Sequence, residues 1–323
     1  CYLLFIYLFY VFKRIMKKLT VFTPTYNRLY ILSQLYASLC RQTNEDFVWL
    51  IIDDGSSDGT QEVVKQWQNE NIVKIQYAYK ENGGMHTAHN LAYDLIETEL
   101  NVCIDSDDYM TDAAVEKIVA FWEMNKDDKV GGIYALDVDK NGIITGEKFP
   151  EDLHSFKGWG CKIILYGENN EKSVKITGDK KFIAVTKVLK RYPKIPVFEG
   201  EKYYSLYYKQ HFIERDYTIL ILNEPVCVVE YLNDGSSLNM YSQYIRNPKG
   251  FKHLRLLMLE MCPIFSIRFM QAIHYVNACF ILKQYNFLKV KKHKLLIFST
   301  IPFGFLLYVL TRYKHAQLQK RNA

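Results

Sequence analysis

The sequence predicts an α/β fold in which helices flank a mostly parallel sheet. Short apolar runs alternate with helix-period segments between residues 19 and 138, a pattern typical of βαβ units. A polar cluster follows each of the first four apolar runs. The chain of 323 residues is 49% hydrophobic and 24% charged. That is an ordinary globular composition, which excludes wholesale disorder.

The strands are predicted from apolar runs that end at polar clusters. Residues 19–23 and 47–52 contain no charged side chain, as expected for strands buried on both faces of a parallel sheet. The other runs are similar in length and are also followed by turn residues. The five predicted strands are 19–23, 47–52, 72–79, 100–104 and 130–138.

Helices are predicted where apolar residues recur every three or four positions. Leu29, Leu32, Leu35 and Leu39 show this spacing in the first such segment. Asp58 stands at the start of the second segment and is a suitable capping residue. The four predicted helices are 29–39, 58–67, 86–97 and 111–122.

The charge of the chain is unevenly distributed. The net charge is +6, yet residues 246–323 contain 14 Lys and Arg residues and one acidic residue, Glu260. Such a basic tail favours an anionic surface as its partner. The seven cysteines form no CxxC pair. This argues against a disulfide framework or a structural zinc site and fits a reducing cytosol.

The first 16 residues form an apolar N-terminal extension. Residues 1–12 are almost wholly apolar and are followed by Lys13 and Arg14, whereas a signal peptide carries its positive charges before the apolar run. Twelve residues are also too few to cross a bilayer as a helix. Because Met16-Lys17-Lys18 lies just before the first predicted strand and is typical of a natural start, we expect residues 1–15 to lie upstream of the true start. A weak membrane contact is the alternative.

The C-terminal region, residues 241–323, is predicted to be helical and membrane-associated. Residues 264–282 and 295–310 are apolar, and Pro302 and Gly304 interrupt the second run. Basic residues flank that run on both sides, a pattern that favours a helix lying in the membrane interface. The alternatives are a pair of core helices or a true membrane span. Nucleic-acid binding is not expected, because aromatic and basic residues do not interleave.

Polar clusters are predicted to meet at one edge of the sheet. The carboxyl ends of parallel strands lie along the same edge, where ligands bind. The four clusters that end the first four strands are residues 23–28, 53–60, 81–84 and 105–108. Each cluster alone could be a helix cap or a solvated turn. Four converging clusters predict a ligand site.

The chemistry of these clusters favours an activated phosphate compound. Asp105 and Asp107 follow a buried strand, and one or two carboxylates together with substrate phosphates are a common way of holding Mg²⁺ or Mn²⁺. Asp53 and Asp54 can accept hydrogen bonds from a base or ribose. Gly83-Gly84 is expected to leave backbone N–H groups available to a diphosphate. The fingerprints of dehydrogenases and P-loop NTPases are absent from the sequence.

These motifs, in this order, resemble family 2 glycosyltransferases of the GT-A fold, a Rossmann-like architecture. The resemblance covers about residues 17–235 and implies a catalytic domain over residues 17–240. The segment FEGEK at 198–202 is similar to a bacterial branch that builds cell-surface polysaccharides. The matching motifs are TPTYNR at 23–28, DDGSSDGT at 53–60, NGG at 82–84, AHN at 88–90 and DSDD at 105–108.

The resemblance implies an inverting transfer of a sugar from a nucleotide-diphosphate donor, usually UDP-linked. It assigns Asp107 and Asp105 as ligands of Mg²⁺ or Mn²⁺. The donor-binding residues that it implies are Pro24, Thr25, Tyr26, Asn27, Arg28, Asp53, Asp54, Gly83, Gly84, His89, Asn90, Asp105 and Ser106.

An inverting transfer also needs a base that takes the proton of the acceptor hydroxyl. The resemblance implies a carboxylate after the metal motif, with Glu201 first, Glu199 second and Asp179 third. The alternative is that Glu201 and Lys202 are a solvated pair. Trp159 could stack on a sugar, although a core position is the favoured interpretation.

Three departures from the family pattern concern the phosphate contacts and the acceptor. His89 stands where related sequences often have Arg, so any phosphate contact there would depend on pH. Met85 stands where related sequences often have Lys, and an acid expected shortly after Glu201 is missing.

The resemblance implies synthesis of a cell-surface polysaccharide. The acceptor would be a glycan or a lipid-linked molecule, and the enzyme would be cytoplasmic and peripheral on the inner face of the cell membrane. The alternatives are a sugar-1-phosphate nucleotidyltransferase and a catalytically silent carbohydrate-binding subunit.

Overall fold

The computed structural model describes residues 17–160, 164–166, 173–175, 177–230 and 240–321. These residues form two compact units, which are described separately. Among these residues, the first unit contains 17–194 and 209–230, and the second contains 195–208 and 240–321. The predicted C-terminal region, 241–323, belongs to the second unit. The proposed start of the native chain and the side chain of Trp159 lie outside the described residues.

The first unit contains both helices and strands. Its strands are β1 Leu19–Thr25, β2 Phe47–Asp53, β3 Ile75–Tyr79, β4 Leu100–Cys103, β5 Tyr109–Met110, β6 Val130–Val138, β7 Ser155–Phe156, β8 Trp159–Gly160, β9 Ile164–Tyr166, β10 Ser173–Lys175, β11 Lys180–Val185 and β12 Thr218–Val228. Its helices are α1 Leu29–Cys40, α2 Thr60–Glu70, α3 Met85–Leu95, α4 Ala114–Asn125, α5 Thr186–Leu189 and α6 Tyr208–Asp216.

The main sheet confirms the predicted α/β class. Its strand order among the described residues is β3-β2-β1-β4-β11-β6-β12-β5, and β7 pairs with β12. Strands β3, β2, β1 and β4 are parallel. Strand β11 is antiparallel to both β4 and β6, so the second half of the sheet is mixed. A smaller sheet has the order β10-β9-β8.

The third strand begins later than predicted. The sequence pattern placed its start at residue 72, whereas β3 begins at Ile75. Asn71 ends α2 in the left-handed region at φ 54°, which Asn tolerates better than most residues. Residues 71–73 form a turn that begins at Asn71, and the strand starts after this turn.

Successive apolar side chains of the central strands pack into two apolar layers, one on each face of the sheet. Val21 and Trp49 belong to a core cluster that includes residues of α1 and α2. Phe22 and Leu50, their neighbours along the chain, belong to a cluster with Ala88 of α3. Successive side chains of a strand point to opposite faces. The sheet therefore lies between helices on both faces, and each fully buried Leu or Ile contributes about 1.5–3 kcal/mol to folding.

The register of the parallel strands brings the predicted polar clusters together. Thr25 at the end of β1 pairs with Asp53 at the end of β2, and Asp53 pairs with Tyr79 at the end of β3. Phe22 pairs with Cys103, the last residue of β4. The four segments that follow these strands therefore begin at the same edge of the sheet.

The second unit is helical after residue 240. Its helices are α7 Met240–Arg246, α8 Pro248–Met261, α9 Phe265–Ile281 and α10 Lys294–Arg321. A core cluster of this unit contains Leu259, Ala272, Val276 and Ile297. At Gly304 of α10, an added Cβ would lie 2.4 Å from Val276 Cγ1. The close approach of α9 and α10 therefore requires glycine at this position.

Helix α10 differs from the expected interrupted segment. It continues through Pro302 and spans 28 residues, or about 42 Å at 1.5 Å per residue. It is long and apolar enough to cross a membrane. Several large apolar side chains of α10 are exposed: Leu295, Phe298, Phe303, Phe305, Leu306, Val309, Leu310 and Tyr313. This exposure argues against the alternative of two core helices.

Candidate active site

An ion pair joins the loops that follow β1 and β4. The Arg28 guanidinium donates to Asp107 Oδ2 at 3.1 Å. Both side chains are about one-quarter exposed, so solvent only partly screens the pair. The structure thus brings together a predicted donor-binding cation and the predicted metal ligand.

The loops after β1 and β2 are also hydrogen-bonded to each other. The Asn27 N–H donates to Ser56 Oγ at 2.9 Å, and the Ser57 N–H donates to Asn27 Oδ1 at 2.8 Å. Asp58 accepts from the first residue of each neighbouring helix, Leu29 of α1 and Thr60 of α2. Asp58 therefore accepts from the first N–H group of both helices, although the N-cap positions themselves are Arg28 and Gly59; the sequence predicted such a contact for one helix.

Asp53 holds its own loop and the neighbouring strand. Its Oδ1 accepts from the N–H groups of Gly55 and Ser56 at 3.1 and 2.7 Å, and its Oδ2 accepts from the Tyr77 hydroxyl at 2.7 Å. Burial, and then this hydrogen bond, raise the pKa of Tyr77 above its ordinary value. The hydroxyl therefore stays protonated and remains a donor to Asp53.

Asp54 organises the segment between β3 and α3. It is 4% exposed. Its Oδ1 accepts from the Gly83 N–H at 3.0 Å and its Oδ2 from the Gly84 N–H at 2.8 Å. The Lys80 ammonium also contacts Oδ1. Both glycine N–H groups, which the sequence was expected to leave available to a diphosphate, therefore donate to Asp54 in this structure, since an N–H group shielded from water requires an acceptor.

Gly55 permits the close approach of these two loops. Its φ is +94°, and an added Cβ would lie 2.9 Å from the backbone nitrogen of Asn82. Any other residue would meet both backbone strain and a steric clash. Glycine at position 55 is therefore required for the contact between the 53–60 and 81–84 segments.

His89 is buried in α3 and faces protein groups. Its Nδ1 lies 3.1 Å from the Tyr93 hydroxyl and its Nε2 lies 3.6 Å from Cys103 Sγ. Its ring packs edge-on against Phe22. Burial lowers the pKa of His89 to about 4, so the ring is neutral at physiological pH. The expected pH-dependent contact between His89 and a phosphate therefore does not follow.

The acid loop, residues 105–108, directs its carboxylates in different directions. Asp105 and Asp107 are half-buried, whereas Ser106 and Asp108 are buried. Burial, and next the charge of Asp105, raise the pKa of Asp107, while Arg28 opposes the shift. Among the described residues, no group of three or more His, Cys, Asp or Glu side chains is arranged around a metal position. A cation here would have two carboxylates and would need further ligands from a substrate.

The remaining predicted donor-binding residues lie at the same sheet edge or on α3. Pro24 and Thr25 are the last two residues of β1 and are buried, whereas Tyr26 is 49% exposed. Thr25 Oγ1 is buried and has no hydrogen-bond partner within the described part of the chain. It is therefore a polar atom that a ligand could satisfy. Asn90 is half-buried in α3.

The candidate base Glu201 lies in the second unit and contacts the start of α8. Its Oε1 accepts from the Lys249 N–H and its Oε2 from the Gly250 N–H, both at 2.7 Å. Asn247 Oδ1 accepts in turn from the Lys202 N–H at 3.0 Å. These contacts are those of a helix cap. Glu199 is exposed and Asp179 is half-buried.

Sequence reasoning missed several polar residues that support the site. Lys80 and Tyr77 bind the carboxylates of Asp54 and Asp53. Lys181 lies 3.3 Å from Asp108, and Asp137 is buried in β6. The available signal was a charged or hydroxyl-bearing residue within or directly after an apolar strand, since such a residue requires a partner when it is buried.

Comparison with known proteins agrees with the resemblance. The family described as glycosyl transferase family 2 matches residues 20–184. An uncharacterized glycosyltransferase of Nostoc sp. is 30% identical over 145 residues, which are 43% of this chain and 44% of the relative. Poly(ribitol-phosphate) beta-N-acetylglucosaminyltransferase TarS of Staphylococcus aureus is 30% identical over 115 residues, 35% of this chain and 20% of the relative. The chain thus spans less than half the length of these curated relatives.

Solved structures show the same fold. S. aureus TarS 1–349 in complex with UDP-GlcNAc has a TM-score of 0.52 and 20% identity, covering 88% of this chain and 79% of that chain. The mannosyltransferase PcManGT from Pyrobaculum calidifontis, in complex with GDP-Man and Mn²⁺, has a TM-score of 0.52 and 17% identity, covering 93% and 83%. The family match covers residues 20–184, and the four loop clusters of that region lie at one sheet edge. On this basis, the chain belongs to glycosyltransferase family 2.

Proposed function

We propose that the protein transfers a sugar from a nucleotide-diphosphate donor, UDP-linked, to a glycan or lipid-linked acceptor of a cell-surface polysaccharide, with inversion at the transferred carbon. The observation that carries this proposal is the 3.1 Å ion pair between Arg28 and Asp107. It joins the loops after β1 and β4 at the sheet edge where Asp53 and Asp54 shape the other two loops. This is the edge at which α/β folds bind ligands.

The contacts of the loops support the proposed donor-binding role. Asp53 and Asp54 hold the backbone of residues 55–56 and 83–84 in fixed conformations. Two further groups could contact a base and ribose: Thr25 Oγ1, which has no hydrogen-bond partner among the residues that the structure describes, and the exposed Tyr26 ring. Arg28 supplies a positive charge next to Asp107, where it can contact the diphosphate.

A divalent cation fits the half-buried carboxylates of Asp107 and Asp105. Both offer hard oxygen ligands, and Mg²⁺ or Mn²⁺ is often held by one or two carboxylates together with substrate phosphates. The 3.1 Å contact with Arg28 supports this proposal, because it places a cationic group beside the Asp107 carboxylate. When bound, the metal would neutralise the charge that develops on the leaving nucleotide diphosphate.

A donor screen tests the proposed reaction. The purified protein is incubated with UDP, GDP and dTDP sugars with and without Mn²⁺, and thermal stabilisation and release of the nucleotide diphosphate are measured. We expect stabilisation by a UDP-sugar that increases with Mn²⁺, together with slow UDP release. Pyrophosphate release from UTP and a sugar phosphate would contradict the proposal, and so would the absence of any response to all three donor classes.

We further propose Glu201 as the base, with Glu199 as the second candidate. A carboxylate has about four lone-pair positions, and Glu201 uses two of them for the α8 N–H groups. An acceptor hydroxyl could use a remaining position. The same residue would then both cap α8 and accept a proton.

The Glu201→Gln variant is expected to lose about 1–2 kcal/mol of unfolding free energy, because an amide NH₂ group would face a helix N–H donor. If Glu201 is the base, turnover also falls by about 10²–10⁴-fold while UDP affinity is retained. Urea unfolding, turnover and UDP titration measure the three quantities.

Glu199→Gln is the matched control for the cap, since Glu199 is exposed two residues earlier. It should leave the unfolding free energy unchanged. A folded Glu201→Gln protein with wild-type turnover would exclude Glu201 as the base. Loss of turnover in Glu199→Gln alone would assign the role to Glu199.

The second unit is proposed to attach the enzyme to the inner face of the cell membrane. Helix α10 exposes a row of large apolar side chains, including Phe298 and Leu306 at 63% and 65%. Four Lys residues lie at 289–294 before the apolar stretch, and Arg312 and Lys314 follow it. Basic residues next to an apolar helix favour anionic lipid headgroups. The attachment would hold the enzyme at a surface that carries lipid-linked acceptors.

Vesicle flotation tests this attachment. We expect the full chain to float with vesicles in which roughly one-third of the lipid is phosphatidylglycerol. Binding to pure phosphatidylcholine vesicles should be at least about tenfold weaker, because each Lys or Arg near an anionic surface contributes about 1 kcal/mol. A Phe298→Ser, Leu306→Ser variant should float less. Met124→Ser, at an exposed apolar residue of the first unit, is the control. Equal recovery with and without vesicles would contradict the proposal.

A further inference from the structure

A largely buried lysine side chain contacts the acid loop. Lys181 is in β11, one residue from its start, and its side chain is 13% exposed. Its ammonium lies 3.3 Å from Asp108 Oδ2, and the Asp108 side chain is 11% exposed. A buried lysine is costly unless it is paired and hydrogen-bonded. The role of Lys181 therefore depends on the acid loop that it faces.

A second buried carboxylate shares the sheet face of Lys181. Lys181 pairs across the sheet with Ala135 of β6, and Asp137 lies two residues further along β6, so its side chain points to the same face. Asp137 is 1% exposed, and its Oδ1 has no hydrogen-bond partner among the described residues. Burial tends to lower the pKa of Lys181, but Asp137 and Asp108 raise it well above its ordinary value. Lys181 is therefore charged.

Asp108 transmits this contact to the acid loop. Its N–H donates to the Asp105 carbonyl oxygen at 3.0 Å, closing the turn. Its Oδ1 accepts from the Glu230 N–H at 3.4 Å, next to the end of β12. The two neighbouring carboxylates thus have different partners. Asp108 contacts Lys181 of β11 and the Glu230 N–H, whereas Asp107 contacts Arg28.

We propose that Lys181 is a positioning residue: through Asp108 it fixes the turn that presents Asp105 and Asp107 to the metal and the donor diphosphate. The inference rests on the proposed metal-dependent donor site. Lys181 touches neither the donor nor the cation in this role. It sets the geometry of the loop from the β11 side of the sheet.

Positioning and simple electrostatics predict opposite changes in metal affinity. Lys181 is a positive charge near the acid loop, so its removal should by charge alone strengthen the binding of Mn²⁺. If Lys181 positions the ligands, its removal should weaken Mn²⁺ binding by roughly 10–100-fold, as for other groups that orient metal ligands. The sign of the change therefore distinguishes the two roles.

The experiment compares Mn²⁺ affinity in wild-type, Lys181→Met and Lys181→Arg proteins. Free Mn²⁺ is measured by electron paramagnetic resonance in the presence of UDP, and UDP affinity without metal is measured separately. We expect weaker Mn²⁺ binding in Lys181→Met, substantial recovery in Lys181→Arg, and unchanged metal-free UDP affinity. Lys187→Met, which breaks an exposed pair with Asp128, is the matched control and should behave as wild type.

A double variant keeps the test decisive if Lys181→Met does not fold. Lys181→Met with Asp108→Asn removes the ammonium together with the carboxylate that it contacts, so Asp108 is not left as a charge without its partner. The proposal expects this protein to fold and still to bind Mn²⁺ roughly tenfold or more weakly. Wild-type Mn²⁺ affinity in the folded double variant would overturn the proposal, and so would unchanged or tighter binding in folded Lys181→Met.

The wild-type titration separates failure of this inference from failure of the proposed function. If the wild-type protein binds neither Mn²⁺ with UDP nor a UDP-sugar, the proposed donor site is wrong. If the wild type binds both and the Lys181 variants bind equally well, the donor site stands and the positioning role is wrong.

Discussion

In the Asp107→Asn variant, the rate of sugar transfer is expected to fall by about 10³-fold while the protein stays folded. Several kcal/mol of charge stabilisation in the transition state would disappear with the metal ligand, and each 1.36 kcal/mol corresponds to about tenfold in rate. The amide oxygen of Asn can still accept from Arg28, and both residues are partly exposed. The unfolding free energy should therefore change by less than about 1 kcal/mol.

Turnover of a UDP-sugar and circular dichroism during urea unfolding measure the two effects. Asp112→Asn is the matched control, because Asp112 forms an Arg–Asp pair of the same 3.1 Å length with Arg41 but is 61% exposed. That variant should transfer sugar at the wild-type rate. Wild-type turnover by Asp107→Asn in excess EDTA would show that the metal assignment is wrong.

The Asp54→Asn variant is expected to lose both stability and donor binding. Its amide NH₂ group would face the N–H of Gly83 or Gly84, and the Lys80 ammonium would lose its charged partner. Removing one partner of a buried ion pair costs about 3–5 kcal/mol of unfolding free energy. Because Lys80 is 20% exposed and solvent partly screens the pair, we expect the unfolding free energy to fall by about 2–4 kcal/mol. Since the 82–84 segment would no longer be held in place, UDP affinity should fall by about tenfold or more.

Urea unfolding and calorimetric UDP titration measure these changes, the titration being made where both proteins are folded. Asp94→Asn is the control, since Asp94 pairs with Lys194 while 48% exposed. It should cost less than about 1 kcal/mol. Unchanged UDP affinity in a destabilised Asp54→Asn protein would limit Asp54 to a structural role.

The first half of the sheet could be predicted because its signals are local. Strands β1, β2 and β4 are uncharged runs up to their last residues, and the helices between them have clear 3.6-residue periodicity. Strands β11 and β12 were not predicted. Lys180 and Lys181 begin β11, and Glu224-Pro225 lies within β12. Their pairing with β6 depends on contacts that are distant in sequence, and these leave no local pattern.

The sequence predicted that the four loops meet at one sheet edge, but it did not predict the hydrogen bonds between them. The sequence indicated that Asp53, Asp54, Arg28 and Asp107 lie at one edge, and the structure brings these loops together. The sequence did not show that the carboxylate oxygens of Asp53 and Asp54 accept hydrogen bonds from loop N–H groups. The backbone N–H groups of a turn need hydrogen-bond acceptors even when no ligand is bound. The sequence does not reveal which acceptor each N–H group contacts.

The link between Glu201 and α8 has a practical consequence for work on this protein. Helix-bearing C-terminal regions are commonly removed to improve solubility and crystallisation. A chain ending near residue 240 would leave Glu201 and the Lys202 N–H without Lys249, Gly250 and Asn247 as their partners. A shortened form would therefore expose polar groups that the full chain satisfies, and we expect it to be less stable than the full chain. Exchanging exposed apolar side chains of α10 for polar ones is the safer route to a soluble enzyme.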